Sequence, residues 1–195
     1  MESQFISAYP SPLLGDLEFD FPEGTHAIGR LDKGSEGLLL LTTNKKITKL
    51  LFQSAMKHKR TYLVQVKNKM TAENLHRLQT GVSIRIRGGG YYTTPPCAVE
   101  ITNEPKGLFS SPRNLPANLI STWLLITLTE GKFHQVRKMV VAVGHRCIRL
   151  VRVSIEDMLL GALQPGEIKE EDENSFFSLL KLDTSSITKA PEDIA

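Results

Sequence analysis

Apolar positions along the chain switch between a period of about two and a period of about 3.6, and the switches divide it into strands and helices. His26–Asp32 (HAIGRLD) reads as a strand ending in a charged turn, and Leu38–Thr43 (LLLLTT) as a buried strand. Between them, DKGSEG carries two glycines and a serine, which is turn chemistry. Asn44 is placed to cap a short helix with Ile47, Leu50 and Leu51 on one face. TYLVQVK alternates, with Tyr62, Val64 and Val66 on one side. Thr71 caps a second helix, striped by Leu75 and Leu78 and closed at Gly81. Val82, Ile84 and Ile86 then alternate with Ser83, Arg85 and Arg87 as a strand, and Gly88–Gly90 is a turn.

Asn103–Ser121 holds three prolines and little periodicity, so it reads as a long loop. TWLLITLTEG is a strand and HQVRKMVVAVG a helix in which Val136, Met139, Val140 and Val143 face the core. CIRLVRVSI is a further strand, and Gln164-Pro165-Gly166 a turn ahead of a short strand. Without strict βαβ alternation the order predicts an α+β fold. Residues 1–182 read as one domain and residues 183–195 as a polar, frayed tail.

Composition changes this picture little, but charge does. The net charge is only +3, yet Asn44–Lys69 carries eight Lys/Arg and no acid, and Lys132–Val153 six and no acid. Together these hold 14 of the 24 basic residues, leaving 10 basic against 21 acidic elsewhere. If the two stretches meet in the fold, they make a face suited to a polyanion; two solvated basic surfaces are the plainer alternative. The N-terminus has no signal-peptide pattern, and no apolar run is long enough to span a membrane. Cys97 and Cys147 are expected to be thiols in a cytoplasmic protein, and the five histidines lack metal-ligand spacing, so no metal is expected.

Three segments carry candidate chemistry. In GRLD, Arg30 and Asp32 lie two apart at a strand end, which suits a nucleophilic or basic carboxylate beside a cation; a turn-capping salt bridge is the simpler alternative. In EGKFHQVRKM, His134, Arg137 and Lys138 point away from the helix core face near its N-terminal end, where anions are favoured. In KRTYLVQV, Lys59 and Arg60 precede Tyr62, an aromatic among cations that suits base stacking but equally a core tyrosine. A glycosidase would need a second carboxylate about 5–9 Å from the first. Glu36 and Glu130 are the candidates.

GRLDKGSEGLLLLTTN resembles the catalytic motif of the pseudouridine synthases, within them the small-ribosomal-subunit synthase A group. KRTYLVQV resembles that group's tyrosine strand. EGKFHQVRKMVVAVGH, followed by LVRVSIEDMLLGALQPGEIKE, resembles its arginine helix and C-terminal strand, in matching order over residues 20 to 170 or so. The resemblance implies a mixed, largely antiparallel sheet flanked by helices. It implies Asp32 as the catalytic carboxylate, Arg137 as its ion-pair partner, Tyr62 as the residue stacking on the target base, and Arg30 as a holder of the RNA around the flipped uridine. Lys59, Arg60, His134 and Lys138 would line the RNA path. The implied substrate is ribosomal RNA, of the large subunit, acted on by a monomer without cofactor or metal. The group's catalytic domain opens with an apolar strand and a Lys-Pro turn that would lie ahead of this sequence, and many members carry an N-terminal S4-type domain. Neither is expected here. A non-catalytic RNA-binding module on the same scaffold is the rival from another class.

Overall fold

A computed structural model describes residues 2–53, 56–111, 115–116 and 118–182. Its centre is β4 (Arg60–Lys67), whose alternating pattern pairs antiparallel on one side with β8 (Ser121–Leu128) and on the other with β9 (Cys147–Ile155). Outside β8 lies β7 (Ala98–Thr102), also antiparallel. The far edge of β9 is shared by β10 (Met158–Leu159), antiparallel, and β2 (Glu36–Gly37), the one parallel pairing. Two small ribbons complete the strands: β1 (His26–Ile28) with β3 (Leu40–Thr42), and β5 (Ser83–Arg85) with β6 (Tyr91–Thr93).

Helices cover both faces of the large sheet. Against one face, α2 (Ala72–Thr80) and α3 (Gln135–Ala142) bury Leu78, Val136, Met139 and Val140 on Val64, Val66, Leu124, Ile126 and Leu150. Against the other, α1 (Ile47–Gln53) and α4 (Glu173–Leu179) join Ile28, Leu38 and Leu40 over Leu63, Trp123, Val151 and Ile155. The central strand is therefore buried continuously from Leu63 to Val66, and its one polar member there, Gln65, donates to Ser121 Oγ at 3.0 Å. This is the predicted α+β class, a largely antiparallel sheet flanked by helices.

Local signals explain most boundaries. Thr71 Oγ1 accepts from Asn74 N, and Gly81 exits α2 at φ 111°, where a Cβ would lie 2.3 Å from Thr94 O. The expected strand from His26 to Asp32 stops at Ile28 because Gly29, at φ 72°, turns the chain. No strand follows Gln164-Pro165-Gly166: that turn closes on itself through Gln164 N to Glu167 Oε2 at 2.8 Å, and the acidic segment beyond stays unpaired until Asp172 caps α4. β2, β6, β7, β10 and α4 are additions to the elements expected from the sequence. Residues 112–114 and 117 of the long loop, and all of the expected tail 183–195, lie outside the described residues.

Candidate active site

Asp32 is carried by a tight turn, with Ser35 N donating to Asp32 O at 2.8 Å. Two neighbours hold this turn. On the β9 side, Gly37 (φ 98°) lets β2 approach so closely that a Cβ would stand 2.3 Å from Arg152 O. Leu38 N donates to Arg152 O, and Arg152 Nε donates back to Leu38 O, each at 2.8 Å. On the α3 side, Arg137 Nη2 donates to Gly34 O and, at 3.2 Å, to Ser35 Oγ, while Nη1 approaches Cys147 Sγ at 3.6 Å.

Among the described residues, the basic side chain in ion-pair range of Asp32 is His134, with Nε2 3.8 Å from Oδ1. The expected Arg137–Asp32 pair is not seen among the described residues: Arg137 reaches the turn of Asp32 through Gly34 O and Ser35 Oγ, two and three residues further on. His134 adopts a left-handed conformation (φ 55°), so α3 begins at Gln135 instead of His134. Its ring stacks on Phe133 (centroids 4.0 Å apart), and Lys138 Nζ lies 5.3 Å from the centre of the Phe133 ring. Phe133 is exposed and went unnoticed in the sequence, although an aromatic between Lys132 and His134 repeats the pattern seen around Tyr62.

A hydrogen-bonded network fixes this loop. Tyr92 Oη donates to Glu130 Oε2 and Gln135 Nε2 to Glu130 Oε1, both at 2.6 Å, and Lys132 N donates to Gln135 Oε1 at 2.8 Å. The bond to Glu130 raises the Tyr92 phenol above its ordinary range, with burial adding to the effect. Lys132 Nζ also lies 4.8 Å from the Tyr92 ring centre. Glu130 is thereby occupied. Glu36 is occupied too, by a bidentate bond from Arg149 (2.9–3.2 Å), whose Nη2 also reaches Phe109 O at 2.8 Å. Neither acid is left as a second carboxylate for glycoside chemistry.

Tyr62 is half-buried opposite Arg152 in the β4–β9 ladder. Arg152 escaped the sequence reading. The available signal was two charges, Arg149 and Arg152, inside an otherwise largely apolar nine-residue strand. Burial pulls its guanidinium below the usual arginine range; Tyr62 and Asp32 act in the opposite direction and Arg60 adds to the lowering. Arg60 is partly exposed and lies against the loop after β8, where a Cβ on Gly131 would meet its Nη1 at 2.8 Å. Lys59 is exposed, its backbone N–H bonded to Glu156 Oε1. Arg30, Asp32, Phe133 and His134 line one cavity of about 1340 Å³, whose lining also includes Ser3 and Gln164. Tyr62 and Arg137 are not in its lining. Among the described residues no cluster of His, Cys, Asp or Glu is arranged to hold a metal ion, Cys97 and Cys147 are not joined in a disulfide, and no helix is long and apolar enough to cross a membrane.

A family model described as RNA pseudouridylate synthase matches residues 16–142. The chain is 39% identical to the ribosomal large subunit pseudouridine synthase E of Vibrio parahaemolyticus, over 74% of this chain and 59% of that protein. It is 38% identical to the protein of the same name from Xanthomonas axonopodis pv. citri, over 84% of each. A crystal structure of a pseudouridylate synthase superposes with a TM-score of 0.66 and 26% identity, over 83% of this chain and 63% of that one. The chain thus spans between three-fifths and five-sixths of the length of these relatives.

Proposed function

Since the chain belongs to the RNA pseudouridylate synthase family, we propose that it converts a specific uridine of ribosomal RNA, in the large subunit, to pseudouridine. The observation that supports this most is the placement of Asp32: a carboxylate on a turn clamped between β9 and Arg137, facing a cavity, with His134 3.8 Å away. An anion is otherwise out of place on an RNA-binding face.

The reaction is redox-neutral and exchanges one bond for another. The bond from uracil N1 to ribose C1′ breaks, the base turns, a bond from C5 to C1′ forms, the C5 proton leaves and N1 gains a proton. Asp32 serves as the nucleophile at C1′ or the base at C2′, both of which require the ionised carboxylate. Extracting the uridine from its stack costs a few kcal/mol, which stacking on an aromatic side chain and phosphate contacts offset. Tyr62 takes the base, and Arg30, Lys59, Arg60, His134 and Lys138 take the RNA backbone. Residues 1–182 form the catalytic domain, which acts as a cytoplasmic monomer.

The test is Asp32→Asn on ribosomal RNA transcripts. Pseudouridine formation is expected to disappear while RNA affinity stays within about threefold of wild type, since removing one carboxylate from a basic face does not weaken phosphate binding. Wild-type turnover in the variant would rule out the mechanism. A wild-type chain that binds RNA without modifying it would instead make this a binding module.

A further inference from the structure

The strand β9 holds two buried arginines in opposite circumstances. Arg149, 7% exposed, has the carboxylate of Glu36 in a bidentate bond, the carbonyl of Phe109, and the Phe109 ring 5.1 Å from its Cζ. Every feature of a structural arginine is present. Arg152, 3% exposed, has no such carboxylate; its side-chain hydrogen-bond partner is Tyr62. Among the described residues no acid lies in ion-pair range of it, its Nε has the single carbonyl of Leu38, and its Nη2 is buried without a hydrogen-bond partner.

A buried charge with no carboxylate to neutralise it is a cost to folding, and an apolar side chain of similar volume at such a position is commonly neutral or stabilising. Packing alone therefore does not account for an arginine at 152. Its neighbours suggest another account. The β4–β9 register sets it directly opposite Tyr62, where side chains on one face stand close together. The β2–β9 register sets Gly37 beside it, and the exchange of bonds with Leu38 ties it to the segment that leaves the Asp32 turn. Asp32 and Tyr62 both act electrostatically on its guanidinium, as does Arg60.

Resting on the pseudouridine reading above, we infer that Arg152 is a positioning residue of the active site: a fixed cation behind it that keeps the Tyr62 ring and the Asp32 turn in working register. It acts through those two residues, since the guanidinium is closed off from the cavity that Asp32 lines.

The experiment compares the full wild-type chain with Arg152→Met and Arg152→Lys. Thermal melting, RNA affinity and steady-state pseudouridine formation on the same transcript are measured for all three. Arg152→Met is expected to melt no lower than wild type, to keep RNA affinity and KM within about threefold, and to lose about 10²-fold in kcat, as expected when a preorganised charge is removed from a site. Arg152→Lys, which restores the charge without the planar fork, is expected to recover kcat to within about tenfold of wild type. Three results would overturn the inference: wild-type kcat in Arg152→Met, a clearly lowered melting temperature in that variant, which would mark Arg152 as structural, or a lysine variant no better than the methionine one. An inactive wild-type chain would remove the underlying function instead, and is scored before any variant is compared.

Discussion

His134 Nε2 lies 3.8 Å from Asp32 Oδ1, in the position that family resemblance assigns to Arg137. Both side chains are about one-third exposed (34% and 35%), so water screens the contact and it adds little to stability. Its value is to place a polar, basic ring beside the carboxylate. The variant to make is His134→Asn, because asparagine tolerates the left-handed backbone at this position. We predict that stability changes by no more than about 0.5 kcal/mol and that kcat/KM falls about tenfold, within the span of a general acid–base or positioning contribution. An unchanged kcat/KM would remove His134 from the site.

Arg137 acts on Asp32 at one remove, through Gly34 O and Ser35 Oγ. A lysine has no fork to hold both acceptors. Arg137→Lys is therefore predicted to lower kcat about 10²-fold through a misplaced turn, with RNA affinity nearly unchanged because the total charge is kept. Binding by gel shift and single-turnover rates on one transcript separate the two effects. A fall in affinity with an unchanged rate would instead make Arg137 an RNA ligand.

The approach of Gly37 to β9 predicts a stability defect at a solvent-accessible position. In Gly37→Ala the new Cβ would collide with the Arg152 backbone at 2.3 Å, at a φ of 98° that L-residues avoid. We expect a loss of about 3 kcal/mol or more in urea denaturation. The comparison variant Gly15→Ala has an ordinary contact, Phe5 at 3.8 Å, and should change stability by about 0.5 kcal/mol at most. Equal behaviour of the two would refute the close packing.

Tyr92 supplies a pH dependence. Its phenol is raised by the bond to Glu130, and the neutral hydroxyl is the donor. Folding stability from this bond is therefore complete below the ordinary tyrosine pKa of about 10 and is lost as the pH rises through the higher folded value. Tyr92→Phe should cost about 1 kcal/mol at neutral pH and show a correspondingly smaller loss of stability on titration above pH 10. Parallel alkaline limbs in the two proteins would contradict this assignment.

Elements with a complete local signal were legible in the sequence. Thr71 and Gly81 bracket α2, the spacing of Val136, Met139 and Val140 orients α3, and alternation marks β4. The α4 helix was not legible, because seven residues hold too little periodicity and its apolar Phe176 and Phe177 gain meaning only from the core they cover. In the site, the residue types around Asp32 could be read, but not who holds whom. Arg137 contacts Gly34 over a separation of 103 residues, and the choice between Gly34 and Asp32 depends on where β9 sets the turn. Arg152 was hidden for the same reason, since an arginine in a strand reads as an exposed position until both faces of that strand are known to be covered.

The contact of Gly37 with Arg152 also divides the labour of motion. The carboxylate turn is joined at backbone distance to the strand at the heart of both cores, so it cannot swing without disturbing the sheet. On the proposed function the Asp32 carboxylate behaves as an anvil: what adjusts when RNA arrives is the nucleic acid itself, or side chains reaching in from α3 and its loop. On that reading a uridine is selected by whether the strand around it can be bent to a stationary group, and the deformability of the RNA becomes part of the recognition.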